Sequence, residues 1–292
     1  MLIEVAISTK SQSDKVKALE AFAELAPLGQ KFSVKMLEES INGFLLIGET
    51  EAELQSLVDR ARREFDFPIE AGSPQAAFRE TITRAVTVRH THKRQTGGTG
   101  EFAEVTILFE PLTRGTGFVF ASEAEMLSIE FAQSVAEAIS LQKEKGLIAG
   151  FPVTDFKATL VEGKYHEVDS SLRTFDIAAR LAFAELRNRG GVKILEPIMK
   201  VETAAPDEFL GGVIGDFNAR RGTVEATESS DNAEIVVAMV PLANLFGYGK
   251  TLEALSQGRA SFSMIFSHYE FANNPRGDDD DPRFPPAIGM RA

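Results

Sequence analysis

The sequence contains no cysteine, which excludes disulfide bonds and metal sites built on thiolates. It also contains no apolar run long enough to cross a membrane, and its first residues do not form a signal-peptide pattern. We therefore expect a cytoplasmic protein without membrane contact. The 292 residues, of which 43% are hydrophobic, are enough for two or three folded domains.

Positive charge is scarce as well, because 31 lysines and arginines face 43 acidic residues and leave a net charge of −12. This balance argues against a protein that coats nucleic acid, which would carry a basic face. A local contact with shaped RNA stays compatible with the charge, since binding depends on the field near the docking surface.

Apolar periodicity divides the chain into three folded segments and a tail. Residues 1–72 follow the order β-α-β-β-α-β, and the same order returns in residues 196–273. Residues 274–292 contain four consecutive aspartates and several prolines, and this composition predicts disorder. A strand-like run directly after Met1 indicates the C-terminal portion of something longer, although a natural stand-alone protein remains the alternative.

Residues 73–195 between the two similar segments follow a different order. A long strand is predicted near Phe78–Lys93, and a helix near Ser128–Lys145 follows two further strands. A strand over Phe151–Leu160 and a helix over Phe175–Leu186 complete this segment.

Two polar loops stand out in this middle segment. The sequence RQTGGTGEF, residues 94–102, is a glycine-rich reversal between two strands, and GKYHEVDSS, residues 163–171, joins a strand to a helix. Asp169 or Ser170 is predicted to cap that helix. Taken singly, each loop has the simpler interpretation of an ordinary turn.

Together, RQTGGTGEF and YHEVDSS resemble the two tip loops of the fourth domain of elongation factor G, the ribosomal translocase. The resemblance extends along nearly the whole chain through GLIAGFPVTDFKATL, LEPIMKVE, LGGVIGDFNARRG, VPLANLFGYG and LSQGRASFSMIFSHYE, in the family's order. It implies an α+β fold with two ferredoxin-like βαββαβ domains. These would flank a ribosomal-protein-like α+β domain with a left-handed βαβ crossover.

The resemblance also implies a function. The chain would be the third, fourth and fifth domains of a translational GTPase, binding the ribosome and promoting movement of tRNA and mRNA. The small-subunit decoding region, large-subunit RNA and the GTPase and second domains of the factor would be its partners. The expected contact residues of the tip, none with a covalent role, are Gln95, Gly97, Gly98, Gly100, His166, Asp169, Ser170 and Ser171.

No cofactor is expected in this chain, and GTP and magnesium would belong to the complete factor. The only phosphate-loop candidate, Gly249-Lys250-Thr251, has Asn244 where the pattern needs a glycine. We therefore expect no GTP binding and no enzymatic activity from this chain alone.

Three departures from the family weaken positive or rigid character. Residues 123–131 lack the glycines, proline and arginine of the family's Gly-Gly…Pro-Arg-Glu-Tyr segment, and residues 48–53 replace its Gly-Met-Gly-Glu-Leu-His pattern. Thr99 stands at a position that is often basic, and Glu101 adds an acid nearby. These changes keep a paralogue for ribosome recycling or ribosome protection as an alternative.

Two further hypotheses come from other classes of protein. His166, Asp169 and Ser170 are the residue types of a hydrolytic triad, so one alternative is an enzyme with His166 as base. Their closeness in sequence and the lack of an evident oxyanion hole favour an RNA contact instead. A ribosome-interacting protein that works without a GTPase is the other hypothesis.

Overall fold

The computed structural model describes residues 2–25, 32–36, 42–65, 68–96, 99–230 and 233–272. The tail predicted to be disordered, residues 274–292, lies outside these ranges. The chain forms two compact units, one from Met1–Ala77 with Glu196–Glu270 and a second, which we call the central unit, built mainly from Phe78–Leu195. Mixed helix and strand content gives an α+β fold. None of the helices in the described ranges is long and apolar enough to cross a membrane.

The first sheet has the strand order β2-β3-β1-β4, and β5 also pairs with β1. Alternation along β1 buries Ile3, Val5 and Ile7 on one face, where helix α1 contributes Phe22. Thr50 begins α2 by accepting a hydrogen bond from the backbone N–H of Glu53, as the capping pattern predicts. The elements are β1 (Ile3–Thr9), α1 (Gln12–Leu25), β2 (Ser33–Met36), β3 (Gly43–Gly48), α2 (Glu51–Glu64), β4 (Ile69–Ala71) and β5 (Gln75–Ala76).

The C-terminal sheet repeats this topology with the order β12-β13-β11-β14. Helix α6 buries Val213 and Phe217, and Phe217 stacks on Tyr248 of α7 with ring centroids 5.4 Å apart. The same connectivity therefore recurs without a shared sequence motif. The elements are β11 (Lys193–Ala205), α6 (Asp207–Ala219), β12 (Thr223–Ser230), β13 (Ala233–Pro241), α7 (Tyr248–Ser256) and β14 (Ser261–Phe271).

The central unit contains a four-stranded sheet in the order β7-β8-β10-β9. Helices α3 and α4 pack against each other, and α4 also packs on β7 and β8 over buried phenylalanines that include Phe109, Phe156 and Phe183. Strands β9 and β10 are parallel and joined through α3, whereas the other pairs are antiparallel. The elements are β6 (Arg79–Thr81), β7 (Val86–Thr96), β8 (Thr99–Pro111), β9 (Phe118–Ser122), α3 (Ile129–Gln142), β10 (Phe156–Lys164), α4 (Leu172–Ala184) and α5 (Leu186–Arg189).

The predicted long strand over Phe78–Lys93 is wrong, because the chain forms two strands there. Strand β6 pairs with the first residues of β11, and β7 pairs with β8. Between them, the backbone N–H groups of Thr83 and Arg84 both donate to the carbonyl oxygen of Gly190. This contact interrupts the strand. Because its partner lies more than 100 residues away in sequence, the local sequence contains no signal of the interruption.

Candidate functional site

The two predicted loops lie at the same end of the central sheet. Strands β7 and β8 form a hairpin in which Gln95 pairs with Gly100, so the glycine loop lies at its end. Strand β10 runs beyond the predicted end at Leu160 and pairs Lys164 with Glu104 of β8. The second loop therefore begins beside the end of the hairpin, although 60 residues of sequence lie between the two loops.

Asp169 and Ser170 join the second loop to the hairpin. The Asp169 Oδ1 atom accepts a hydrogen bond from the backbone N–H of Gly100 at 3.1 Å, and the Asp169 carbonyl accepts one from the N–H of Phe102 at 2.8 Å. The Ser170 hydroxyl donates to the Phe102 carbonyl at 2.6 Å. A Cβ atom at Gly100 would lie 2.8 Å from the Asp169 carboxylate, so a larger residue there would force this carboxylate to shift.

The second loop is also held within itself. The backbone N–H of His166 donates to the Ser170 hydroxyl at 2.8 Å, and the N–H of Ser170 donates to the His166 carbonyl at 3.1 Å. The His166 side chain nevertheless remains 60% exposed, with Nδ1 3.4 Å from Asp169 Oδ2. The loop thus fixes its backbone and leaves the imidazole facing solvent.

The prediction that Asp169 or Ser170 caps the following helix is wrong, because Ser171 is the N-cap residue. Its hydroxyl accepts from the N–H of Thr174 at 3.3 Å, and its own N–H donates to the Thr174 hydroxyl at 3.0 Å. This reciprocal capping box has threonine where glutamate or glutamine is usual, which explains why the sequence pattern did not reveal it. The Asp169 and Ser170 side chains are engaged by the hairpin instead.

The joined loops enclose a cleft of about 490 Å³, which we call the tip cleft. Four of the predicted contact residues line this cleft. Ser170 and Ser171 instead form hydrogen bonds with backbone groups, and Gly97 and Gly98 lie outside the described residues. Sequence reasoning did not select the three cations and two aromatic residues of its wall, although they stand within the two motifs or beside them. The lining residues are Lys93, Arg94, Gln95, Gly100, Glu101, Phe102, Lys164, Tyr165, His166 and Asp169.

The acids near the cleft have cationic or imidazole partners. A hydrogen bond from His92, with Nε2 2.9 Å from the carboxylate, is the main cause that lowers the pKa of Glu101. On β8, a hydrogen bond from Arg89 is the largest cause that lowers the pKa of Glu104 to about 2, and Lys164 adds to it. Glu101, which departs from the family pattern, is therefore held as a carboxylate that is hydrogen-bonded to His92.

The cleft contains groups that can bind a polar polyanion. Lysine, arginine, glutamine and imidazole groups can donate hydrogen bonds to phosphate and hydroxyl oxygens, and an exposed tyrosine offers a ring for stacking. Within the described ranges, no group of three or more histidine, aspartate or glutamate side chains is placed to hold a metal ion.

Comparison with known proteins identifies two consecutive parts of the chain. Residues 74–190 match the family model for elongation factor G, domain IV, and residues 193–279 match that for the elongation factor G C-terminus. Relatives named elongation factor G from Hyphomonas neptunium and Anaplasma marginale are 45% and 46% identical over 271 and 272 residues. Each alignment covers 92% of this chain and, respectively, 38% and 39% of the relative, so the chain spans about two fifths of their length.

A solved structure agrees with this assignment. A crystal structure of a protein from Thermus thermophilus aligns with a TM-score of 0.73 and 32% sequence identity. The alignment covers 92% of this chain and 40% of that one. By sequence and by structure, the chain belongs to the elongation factor G family and corresponds to a C-terminal portion of it that includes the fourth and C-terminal domains.

Proposed function

We propose that this chain is a ribosome-binding module that promotes tRNA–mRNA translocation together with a GTPase domain outside these residues. The matched domains are the fourth and the C-terminal ones, so the 292 residues have no enzymatic activity of their own. The observation that carries the proposal is the union of two distant loops into one cleft with outward-facing donors.

The tip cleft would act through shape and hydrogen bonds. Lys93 and Arg94 supply positive charge for phosphates, and the exposed imidazole of His166 supplies a hydrogen-bond donor. The contacts from Asp169 and Ser170 keep both loops in one arrangement, which lowers the entropy lost on binding. Such a surface suits the sugar–phosphate backbone and 2′-hydroxyls of RNA.

The wider assignments belong to the same proposal. The segments 1–72 and 196–273 would be ferredoxin-like domains, and the segment 73–195 between them would contain the left-handed βαβ crossover of the family's fourth domain. Partners would be the small-subunit decoding region, large-subunit RNA and the tRNA–mRNA pair, in the cytoplasm. GTP and magnesium would be bound elsewhere in the complete factor.

The test is His166→Ala in the complete factor, measured by single-turnover translocation alongside single-turnover GTP hydrolysis. Loss of one hydrogen bond to RNA, worth roughly 0.5–1.5 kcal/mol, should slow translocation about 2- to 12-fold. Hydrolysis should stay at the parental rate because the imidazole is not part of that chemistry. His90→Ala is the matched control, since His90 lies beside Glu185 near the C-terminal end of α4.

Translocation at the parental rate in His166→Ala would contradict the role of the tip. A parental factor that never translocates but splits or clears ribosomes would favour the recycling or protection alternative.

A further inference from the structure

A second surface lies beside the tip cleft and differs from it in chemistry. Four apolar side chains stand in solvent where α3 and α4 begin: Met126 is 88% exposed, Ile129 75%, Val168 80% and Leu172 52%. Exposed glutamates accompany them in the same two segments. We call this surface the acidic shoulder, and it consists of Met126, Ile129, Val168 and Leu172 with Glu123, Glu125, Glu130 and Glu167.

The two segments of the acidic shoulder are in contact. The Phe131 ring lies 6.0 Å from the Tyr165 ring and stacks on Phe175 at 4.5 Å between centroids. One turn further along α3, the Ser134 hydroxyl donates to the Leu172 carbonyl at 2.8 Å. The first turns of both helices and the second loop thus form one continuous surface.

The charge of this surface has one sign. The sequence contains no lysine or arginine from Gly115 to Gln142, and none from Tyr165 to Leu172. Two cations border the second loop. The Lys164 ammonium lies 3.0 Å from the Glu104 carboxylate, and the charge of Arg173 helps to lower the pKa of Glu101. The acidic shoulder therefore repels phosphate, in contrast to the tip cleft.

Exposed apolar groups bordered by charge are typical of a protein–protein contact. We propose that the acidic shoulder binds a cationic protein segment that packs apolar side chains against Met126, Ile129 and Leu172. The occupant is a basic protein of the ribosome, and to that extent the inference rests on the proposed function. Charge complementarity selects a basic polypeptide over RNA, and it also favours encounter at low salt.

The first experiment measures the affinity of the full chain for purified ribosomes at two salt concentrations. Glu125→Lys with Glu130→Lys should weaken binding about tenfold, because like charges then face the cationic partner. Tighter binding of this variant would mean that the shoulder faces RNA, and it would overturn the proposal. Glu253→Lys with Glu225→Lys, both exposed in the other unit, makes the same change in net charge and serves as the control.

Removal of the apolar groups gives a second variant. Met126→Gln with Ile129→Gln should weaken binding several-fold, whereas Leu141→Gln should not. Leu141 is the matched control because it is 58% exposed at the opposite end of α3. Equal affinity of the parent and the double variant would contradict the proposal that the acidic shoulder binds a protein, and it would leave the proposed function standing.

Photo-crosslinking identifies the occupant directly. With p-benzoylphenylalanine in place of Met126, the chain should crosslink to a lysine- and arginine-rich ribosomal protein, and the same group in place of Leu141 should not. Crosslinks to ribosomal RNA alone would overturn the proposal. A parental chain that does not bind ribosomes at all would overturn both this inference and the proposed function.

Discussion

Two loops of the central unit are each contacted by an acidic side chain, but the two side chains differ greatly in burial. The Glu80 carboxylate is fully buried and accepts four backbone hydrogen bonds, from Leu147, Ile148, Ala149 and Phe151. The Asp169 carboxylate accepts one, from Gly100, and 32% of its side chain remains exposed.

The difference separates a structural loop from the loop that we propose binds RNA. At Glu80 both carboxylate oxygens accept two hydrogen bonds each, and the same loop needs glycine at Gly146, where φ is +74° and a Cβ would lie 2.6 Å from the Phe151 carbonyl oxygen. Around Asp169 the backbone is paired, yet the imidazole, ammonium and guanidinium groups beside it line an open cleft. Burial fixes the first loop for stability, and partial pairing leaves the second able to bind.

The largest effect should come from Glu80→Gln. The amide nitrogen cannot accept a hydrogen bond, so two of the four N–H donors lose their acceptor. Each loss costs about 1–3 kcal/mol, so the two together should lower the free energy of unfolding by about 2–6 kcal/mol. Denaturant titration measures it, with the exposed Glu137→Gln as control. A loss below about 1 kcal/mol would mean that the carboxylate is not needed as an anion.

Gly100→Ala should have an intermediate effect, because the new methyl group meets the Asp169 carboxylate. We expect a cost of about 1–2 kcal/mol, near the lower end for overpacked sites. The cause can be isolated with a double-mutant cycle. In a chain that already carries Asp169→Ala, Gly100→Ala should cost much less. Additive effects would show that the methyl group clashes with something other than Asp169.

The Glu104 side chain is only 13% exposed, but its partners Arg89 and Lys164 are 56% and 48% exposed. Solvent screening should therefore reduce the contribution of these ion pairs to about 1 kcal/mol, well below what the pKa shift taken alone would give. The pKa of Glu104 is lowered from 4.5 to about 2 in the folded chain, mainly by a hydrogen bond from Arg89. Its stabilisation is therefore present above pH 4.5 and is lost as the pH falls towards 2. The stability difference between the parent and Glu104→Gln should shrink over that window. A difference independent of pH would contradict this.

Local sequence signals predicted much of this structure. Alternating apolar residues and capping patterns predicted the helices and strands of residues 2–71. The motifs RQTGGTGEF and GKYHEVDSS identified the two loops. The signal failed where distant residues decide the local structure. Glu80 lies in a run that reads as strand, and only residues 147–151 explain its burial.

The tip shows the same limit on a smaller scale. Glycine and polar composition predicted a loop at residues 94–102, but β7 extends to Thr96 and β8 begins at Thr99, so most of this range is strand. The close contact at Gly100 arises from Asp169, 69 positions away. The cap at Ser171 was missed because Asp169 and Ser170 are equally good capping residues in isolation. Asp169 and Ser170 bind the hairpin, and this leaves Ser171 as the N-cap residue. Sequence spacing does not encode that contact.

The smallest effect on stability should come from His166→Ala, and it sharpens the comparison within a single loop. The imidazole is 60% exposed, and an ion pair at that exposure contributes little. We expect a change within about 0.5 kcal/mol. Asp169→Ala should cost more, about 1–2 kcal/mol, because the Gly100 N–H loses a charged acceptor. Thermal and denaturant unfolding of both variants provides the measurement. If His166→Ala destabilises the chain as much as Asp169→Ala does, the imidazole belongs to the framework of the loop and is not free for binding. A stable His166→Ala chain would allow a functional defect of that variant to be assigned to a lost contact with RNA.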